Sequence, residues 1–466
     1  MAMTGFPPAS GAESPPVTPG KLAELLARDL DFHGQAEGLA PHDVHPFPAK
    51  FPAQLPRKFI AALTDPGDTV LDPMMGSGTT VLEAYMAGRR AVGFDIDPLA
   101  VIISKVKLVP FSIQEVSRTG PKILERARLA IRENRNALKE LLKERWDART
   151  REFVDYWFAP DTQIELLALM MEIERISCAI TRDFFKLIFS GIIITKSGGV
   201  SLALDLAHTR PHRAKLVLPR AGQLTMANLP TIEAASYKKV HVKTQRSAME
   251  EFAKRFRQYL RVPPRPAHTE VQPHVAFGNA QHLPLPSESV DLIVTSPPYA
   301  SNAIDYMRAH KFVLVWMGYG IDDLSQKRKE YIGSEDLADA SFENLPPSTA
   351  NIIRLLSGMD RKRGRVLHRY YSEMARVLRE MFRVLKPNKT AIVVVGSSKM
   401  KGMDTETQKC LADIGSLAGF DPPLIGVRRL DRDRRMMPAG LDINLNSQIQ
   451  QRMHEEYVIA FHKPHG

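Results

Sequence analysis

The chain has 466 residues, with 63 Lys and Arg against 52 Asp and Glu, a formal net charge of +11. At 44% hydrophobic and 25% charged residues it has the make-up of a globular protein with two or three structural units. Wholesale disorder, a collagen-like fibre and a disulfide scaffold are excluded. Its two cysteines, Cys178 and Cys410, are too few for a framework and do not have metal-ligand spacing, so a reducing intracellular setting and no metal are expected. The N-terminus lacks the basic and apolar regions of a signal peptide. The most apolar stretch, Phe184 to Thr195, is shorter than the roughly 20 residues that cross a bilayer.

In chain order, residues 1–20 are rich in Pro, Gly, Ser and Ala and read as a flexible tail. Residues 21–31 fit a short amphipathic helix, the two making up a unit at 1–40. A helical pattern at Ala53–Leu63 precedes a short apolar run at Thr69–Leu71, the turn DPMMGSGTT, a helix at Thr79–Ala87, and a second apolar run at Arg90–Phe94 that ends in Asp-Ile-Asp-Pro. Strand, Gly-rich turn, helix, strand and acid make half of a doubly wound α/β sheet. Residues 109–269 then change to helical spacing and charge. Lys122–Arg151 reads as one long helix, residues 160–195 as buried helices, and residues 200–245 as loop. The α/β pattern resumes within 270–466, with strands at Val275–Phe277, Val290–Thr295, Thr390–Val395, Leu424–Val427 and Glu456–His462. A smaller polar insertion spans 320–366, and an amphipathic helix at Tyr371–Leu385 ends in the stop signal Lys-Pro-Asn. The expected architecture is one sheet domain, 41–108 and 270–466, split by a helical insertion.

Charge is concentrated. Residues 210–265 hold thirteen Lys and Arg against Glu233, Glu250 and Glu251, which suits a polyanionic partner such as nucleic acid. A solvated helix face followed by a basic linker is the plainer alternative. Smaller clusters at 361–365 and 428–435 fit a DNA contact and a solvated surface equally well.

Two turns carry chemistry. In Asp72-Pro73-Met74-Met75-Gly76-Ser77-Gly78-Thr79-Thr80, glycines allow close approach of the backbone to a ligand. No Lys follows Gly78, so this is not a phosphate loop. Val81 stands where GxGxxG has its last glycine. Asp72, directly before the turn, would repel a pyrophosphate and suits an ammonium. Asp95 closes the next strand, where a carboxylate takes ribose hydroxyls. Together they describe a pocket for an adenosine ribose joined to an aminocarboxylate; a turn that merely packs helix on strand is the plain alternative. In the second turn, Thr295-Ser296-Pro297-Pro298-Tyr299 follows an apolar strand. Its prolines remove two backbone donors, so carbonyls and the Ser296 oxygen can accept from an exocyclic amino group while Tyr299 stacks on the base. A proline-terminated strand with a buried Tyr is the structural alternative.

These motifs resemble a known family. DPMMGSGTT with GFDIDP is similar to motifs I and II of the S-adenosylmethionine-dependent amino methyltransferases, and TSPPY to their catalytic motif IV. HPFPAKFPAQLPRKFI resembles their motif X, GNAQHLPLPSESVDLIVTSPPY their motif III–IV run, LREMFRVLKPNKTAIVVVGSS the helix and strand beyond, and EEYVIAFHKP the closing hairpin strand. The SPPY form resembles the N4-cytosine branch; DPPY or NPPY leans to N6-adenine. The resemblance covers 41–108 and 270–466. It implies a doubly wound, mostly parallel seven-stranded α/β methyltransferase sheet with a large, mainly helical insertion, with S-adenosylmethionine as cofactor and double-stranded DNA as partner. It also implies a cytoplasmic, prokaryotic-type setting, and it leaves open a cognate restriction endonuclease and the oligomeric state.

By the same resemblance, Phe51 packs on the methionine part of the cofactor, Asp72, Pro73, Gly76, Gly78 and Thr79 line it, Asp95 holds the ribose, and Asn279 lies near the adenine amine, where the family more often has Asp. Ser296, Pro297, Pro298 and Tyr299 hold the target base, and the 109–269 insertion holds the target-recognition region. Neither cysteine follows a Pro, in keeping with direct transfer to an amine without a covalent base adduct. The expected reaction is transfer to the N4 amine of a flipped-out cytosine. The rivals are N6-adenine methylation, RNA amino methylation, and a catalytically silent cofactor-binding regulator.

Overall fold

The computed structural model describes residues 17–33, 42, 45–47, 52–195, 197–206, 211–219, 242–261, 272–300, 305–396, 398–430 and 455–465. In chain order, α1 (Pro19–Ala27) and α2 (Gln54–Leu63) lead to β1 (Thr69–Asp72), α3 (Thr79–Met86), β2 (Arg90–Asp95) and α4 (Pro98–Leu108). Next come α5 (Ile113–Glu133), α6 (Arg135–Glu144), α7 (Ala148–Trp157), α8 (Pro160–Glu174), α9 (Ala179–Ile193), the short strands β3 (Leu216–Leu218) and β4 (Val242–Thr244), and α10 (Ala248–Arg261). The remainder holds β5 (His274–Phe277), β6 (Val290–Thr295), α11 (Met307–Leu314), α12 (Ile321–Lys329), α13 (Pro347–Met359), α14 (Arg361–Val384), β7 (Leu385–Gly396), the two-residue strands β8 (Lys399–Met400) and β9 (Met403–Asp404), α15 (Thr407–Leu417), β10 (Leu424–Arg429) and β11 (Glu455–His462).

Seven strands form one sheet in the order β10-β11-β7-β6-β1-β2-β5. Pairing is parallel from β7 through β5, and β11 runs antiparallel to both its neighbours. The expected mostly parallel, doubly wound α/β sheet is therefore present. Strands β1 and β6 are buried along their whole length, which is why they read as near-continuous apolar runs. Val70 and Leu292 face a core shared with α1, α2 and α3, while Leu71 and Ile293 face a core built largely by α14. From β1 the chain winds outward to β2, and from β6 it winds the other way to β7. The reversal lies between β1 and β6, where open α/β sheets bind ligands beyond their carboxyl ends.

Several local expectations change. The tail reading fails from Val17 onward: Val17 is buried and its amide bonds to Asn388 O. Helix α1 starts at Pro19, with Thr18 as its cap, and lays Leu22, Leu25 and Leu26 into the core. Residues 1–16 lie outside the described residues. The single helix at Lys122–Arg151 is three helices. Asn134, at φ −123° and ψ 28°, leaves the helical region, and Asp147 caps a new start by accepting from the Thr150 amide. Helix α14 begins at Arg361, inside the expected polar insertion, because Asp360 caps it through the Arg363 amide. Lys386-Pro387-Asn388 lies within β7 instead of a loop. The inserted helices share one core with Leu99, Ile103 and Val106 of α4 and with Phe312–Trp316, so the insertion extends the sheet domain's core on one side. Among the described residues no helix is long and apolar enough to cross a membrane.

Candidate functional site

The two turns sit at the carboxyl ends of neighbouring parallel strands. Register pairs Val70 with Leu292 and Leu71 with Ile293, so Asp72 and Thr295 leave the sheet side by side. Thr295 Oγ1 donates to Asp72 Oδ1 at 2.7 Å. Asp72 also accepts from the Met74 amide at 3.2 Å. Burial raises the Asp72 carboxyl to about 6, although the bonds from Thr295, Met74 and Thr80 pull it down.

The Gly-rich turn closes tightly over itself. Gly76 has φ +50° and Gly78, the cap of α3, has φ +77°; both lie in the left-handed region that glycine enters without a Cβ penalty. A Cβ at Gly78 would lie 2.6 Å from Ser104 Oγ, and one at Gly76 would lie 3.2 Å from the Phe47 ring. Ser104 Oγ donates to Gly76 O at 3.1 Å, and the buried Lys107 donates to Ser77 O at 2.6 Å. Pro73 and Thr79 are buried within the turn. Asp95, half-buried at the end of β2, accepts from the Gly76 amide and the Asp97 amide, each at 2.8 Å. Burial and the charge of Asp97 raise its carboxyl to about 7 against the pull of those amides, with Asp72 adding to the rise. Each carboxylate oxygen still keeps a lone pair for a further donor.

Phe51 lies outside the described residues. From the same segment, Phe47 stacks on Tyr306 at a centroid distance of 5.0 Å and 22° between planes, and packs on His310 at 5.6 Å. His310 Nδ1 and Tyr331 OH meet Asp97 Oδ2 at 2.6 and 3.0 Å. Burial opposes charge on Asp97, yet His310, the Leu99 amide and Tyr331 together hold it below the usual carboxylate range. Phe47, Tyr306, His310 and Tyr331 were not singled out from sequence. The only hint was that His45-Pro46-Phe47 and Tyr306 flank the two motifs.

Asn279 follows β5. Its Oδ1 accepts from the Gln281 amide at 3.0 Å, and it lines a polar cleft of about 300 Å³ with Gln281, Arg369, Glu373 and Arg376. The structure thus brings Asp72, Pro73, Gly76, Gly78, Thr79 and Asp95 together, with Asn279 one strand further out.

In the second turn, Ser296 Oγ donates to Val394 O of β7 at 3.0 Å. Its proton is committed there, so toward a ligand the hydroxyl acts as an acceptor. Pro297 is buried and Pro298 half-buried. Tyr299 packs its ring against the core face built by α14 and donates its hydroxyl to Glu456 Oε1 at 2.9 Å. Burial, then the charge of Glu456, pushes its phenol well above the usual range.

Two basic residues counted as surface are buried. Lys243 donates to Ser197 O at 3.0 Å and to Ala203 O, and Arg428 pairs with Glu456. Arg255 lies over the Tyr259 ring. Arg213, Lys215, Arg246, Lys254, Arg257 and Arg261 are exposed. Arg210, Arg220, Glu233, Lys238, Lys239 and Arg265 lie outside the described residues, as do 431–435 of the third cluster.

Residues 30–105 match the N6_N4_Mtase family, described as DNA methylase. The Type II methyltransferase M.MvaI of Kocuria varians is 23% identical over 390 residues, 80% of each chain. M.BsoBI of Geobacillus stearothermophilus is 24% identical over 398 residues, 75% of this chain and 73% of that protein. M.PvuII of Proteus hauseri is 41% identical over 68 residues, 15% of this chain and 20% of that protein. These findings support the N6/N4 amino methyltransferase family of DNA methylases, with the direct family match over residues 30–105. They support a DNA methyltransferase with S-adenosylmethionine as its cofactor. The residues present fit that group. Asp72, Asp95 and Asn279 offer acceptors to an ammonium, a ribose diol and an adenine amine, around a turn whose two glycines take a positive φ.

Proposed function

We propose that this protein is a site-specific methyltransferase acting on the N4 amine of a cytosine flipped out of duplex DNA, in the manner of a Type II modification enzyme. One observation carries the reading: the SPPY turn is rich in acceptors. Ser296 spends its proton on Val394 O, and two prolines remove the neighbouring donors. A site of this kind takes an amine, which donates two hydrogens, and leaves a carbonyl unsatisfied. The SPPY form favours cytosine over adenine.

Asp72, Pro73, Gly76, Gly78 and Thr79 would line the methionine end of S-adenosylmethionine, Asp95 the ribose and Asn279 the adenine. When bound, the cofactor supplies an electrophilic methyl. The cytosine amine is a weak nucleophile because its lone pair is delocalised into the ring. Hydrogen bonds from N4 to Ser296 Oγ and the Pro297 carbonyl draw it toward a tetrahedral shape, and Tyr299 stacks on the base. This is catalysis by positioning and electrostatics. Ser296 is too weak a base to remove a proton early, so the amine proton leaves late, to water.

The test is to incubate DNA with the protein and labelled S-adenosylmethionine, hydrolyse it, and identify the product nucleoside. N4-methylcytosine is expected. N6-methyladenine would overturn the cytosine assignment, transfer to RNA alone would overturn the DNA assignment, and cofactor binding with no transfer would leave a silent regulator. Sequencing DNA from expressing cells would give the recognition motif.

A further inference from the structure

We propose that Glu456 and Arg428, from the last two strands of the sheet, are positioning residues that set the Tyr299 ring for stacking on the extruded base. The inference rests on the stacking role given to Tyr299 above.

Strand β11 runs opposite to its neighbours, so its first residues lie at the same sheet end as the carboxyl ends of β1, β2, β6 and β7. Glu456 is the second residue of β11 and pairs with Gly396 at the end of β7. Two positions earlier on β7 is Val394, whose carbonyl takes the Ser296 hydroxyl. The antiparallel register sets Arg428 directly opposite Glu456. One carboxylate oxygen of Glu456 accepts the Tyr299 hydroxyl at 2.9 Å, and the other takes the Arg428 guanidinium. Both charged residues are 8% exposed.

A buried ion pair is a costly way to fill an edge of a sheet; apolar residues of similar volume often serve stability as well or better. What this pair adds is direction. An ionised carboxylate only accepts, so the phenol must donate to it, while the Arg428 guanidinium occupies the other oxygen. The ring is thereby held at its far end as well as at Cβ, before any base arrives. Holding a stacking ring in advance removes part of the ordering cost of binding.

The experiment uses the full chain and a duplex carrying its modification site, with 2-aminopurine beside the target base to report extrusion. Tyr299→Phe and Glu456→Leu should each lower kcat about tenfold, the factor expected from freeing one side chain, and weaken the fluorescence rise. The affinity for S-adenosylmethionine should stay within about twofold. The double variant should be no worse than either single one, because both remove the same restraint. Glu456→Gln, which keeps an accepting oxygen, should recover most of the activity. Losses that multiply in the double variant, or wild-type kcat in both single variants, would overturn the proposal. If Glu456→Leu fails to fold, Tyr299→Phe with Glu456→Gln decides: a wild-type fluorescence rise and kcat in Tyr299→Phe overturns it. Failure of the parent reading is seen separately, as wild-type protein that forms no methylated cytosine.

Discussion

Thr295 Oγ1 donates to Asp72 Oδ1 across 223 positions of the chain, and both side chains are buried. This bond ties the end of the SPPY strand to the acid that opens the Gly-rich turn. Thr295→Val keeps the shape and removes the donor. It should cost about 1–3 kcal/mol, the range for leaving a buried polar partner unsatisfied, and it should make Asp72 harder to ionise. Thr295→Ser should cost much less. Chemical melts and cofactor titrations at pH 7 check both. Unchanged stability and affinity in Thr295→Val would remove the bond from the account.

The same acid predicts a pH dependence of binding. Burial raises Asp72 to about 6 and, with the charge of Asp97, Asp95 to about 7. Both are raised carboxyls, so between the unfolded value near 4 and about 6 or 7 the folded state holds more protons than the unfolded. Their contribution to stability therefore falls as pH rises through that window. An ammonium and a ribose diol both need the ionised form. Affinity for S-adenosylmethionine should rise from pH 5.5 to 8, and binding near pH 6.5 should release protons. Calorimetry in two buffers of different ionisation enthalpy measures that release. Asp95→Asn should weaken binding and flatten the profile; an unaltered profile would take Asp95 out of the site.

The sheet and its two turns were legible because each depends on neighbours in sequence. Buried parallel strands show as apolar runs, and turns show as Gly and Pro. What stayed hidden depends on partners far along the chain. A count of charges in a window cannot separate Lys254, which is exposed, from Lys243, whose ammonium bonds Ser197 O and Ala203 O. Arg428 reads as one of a basic run until register places it opposite Glu456. The break between α5 and α6 rests on one residue, Asn134, whose type alone does not stop a helix. The packing of Phe47 on Tyr306 joins segments on either side of the insertion, and periodicity carries no trace of it.

Gly78 tests the turn itself. Gly78→Ala meets two costs: a positive φ, worth about 1–2 kcal/mol for a residue with a Cβ, and a Cβ 2.6 Å from Ser104 Oγ. Adding Ser104→Gly should relieve the second cost and leave the first, while it adds a helix glycine and takes the donor from Gly76 O, so the double variant should lose less stability than the two single changes summed. Strict additivity of the two single changes would mean that the two positions do not press on each other.

The basic face of α10 should declare itself through salt. Lys254, Arg257 and Arg261 are exposed on it. If they reach phosphates, replacing all three with Gln should make log K against log salt shallower by up to roughly 0.9 for each phosphate no longer neutralised, while weakening binding to all sequences alike. Lys243, from the same basic segment, should behave in the opposite way. Burial, then the nearby Arg246, lowers its ammonium to about 7, and its proton-bearing form bonds two carbonyls inside the protein. Lys243→Met should lower the melting temperature and leave the salt slope alone. A slope that ignores the α10 triple replacement would make that face ordinary solvated surface.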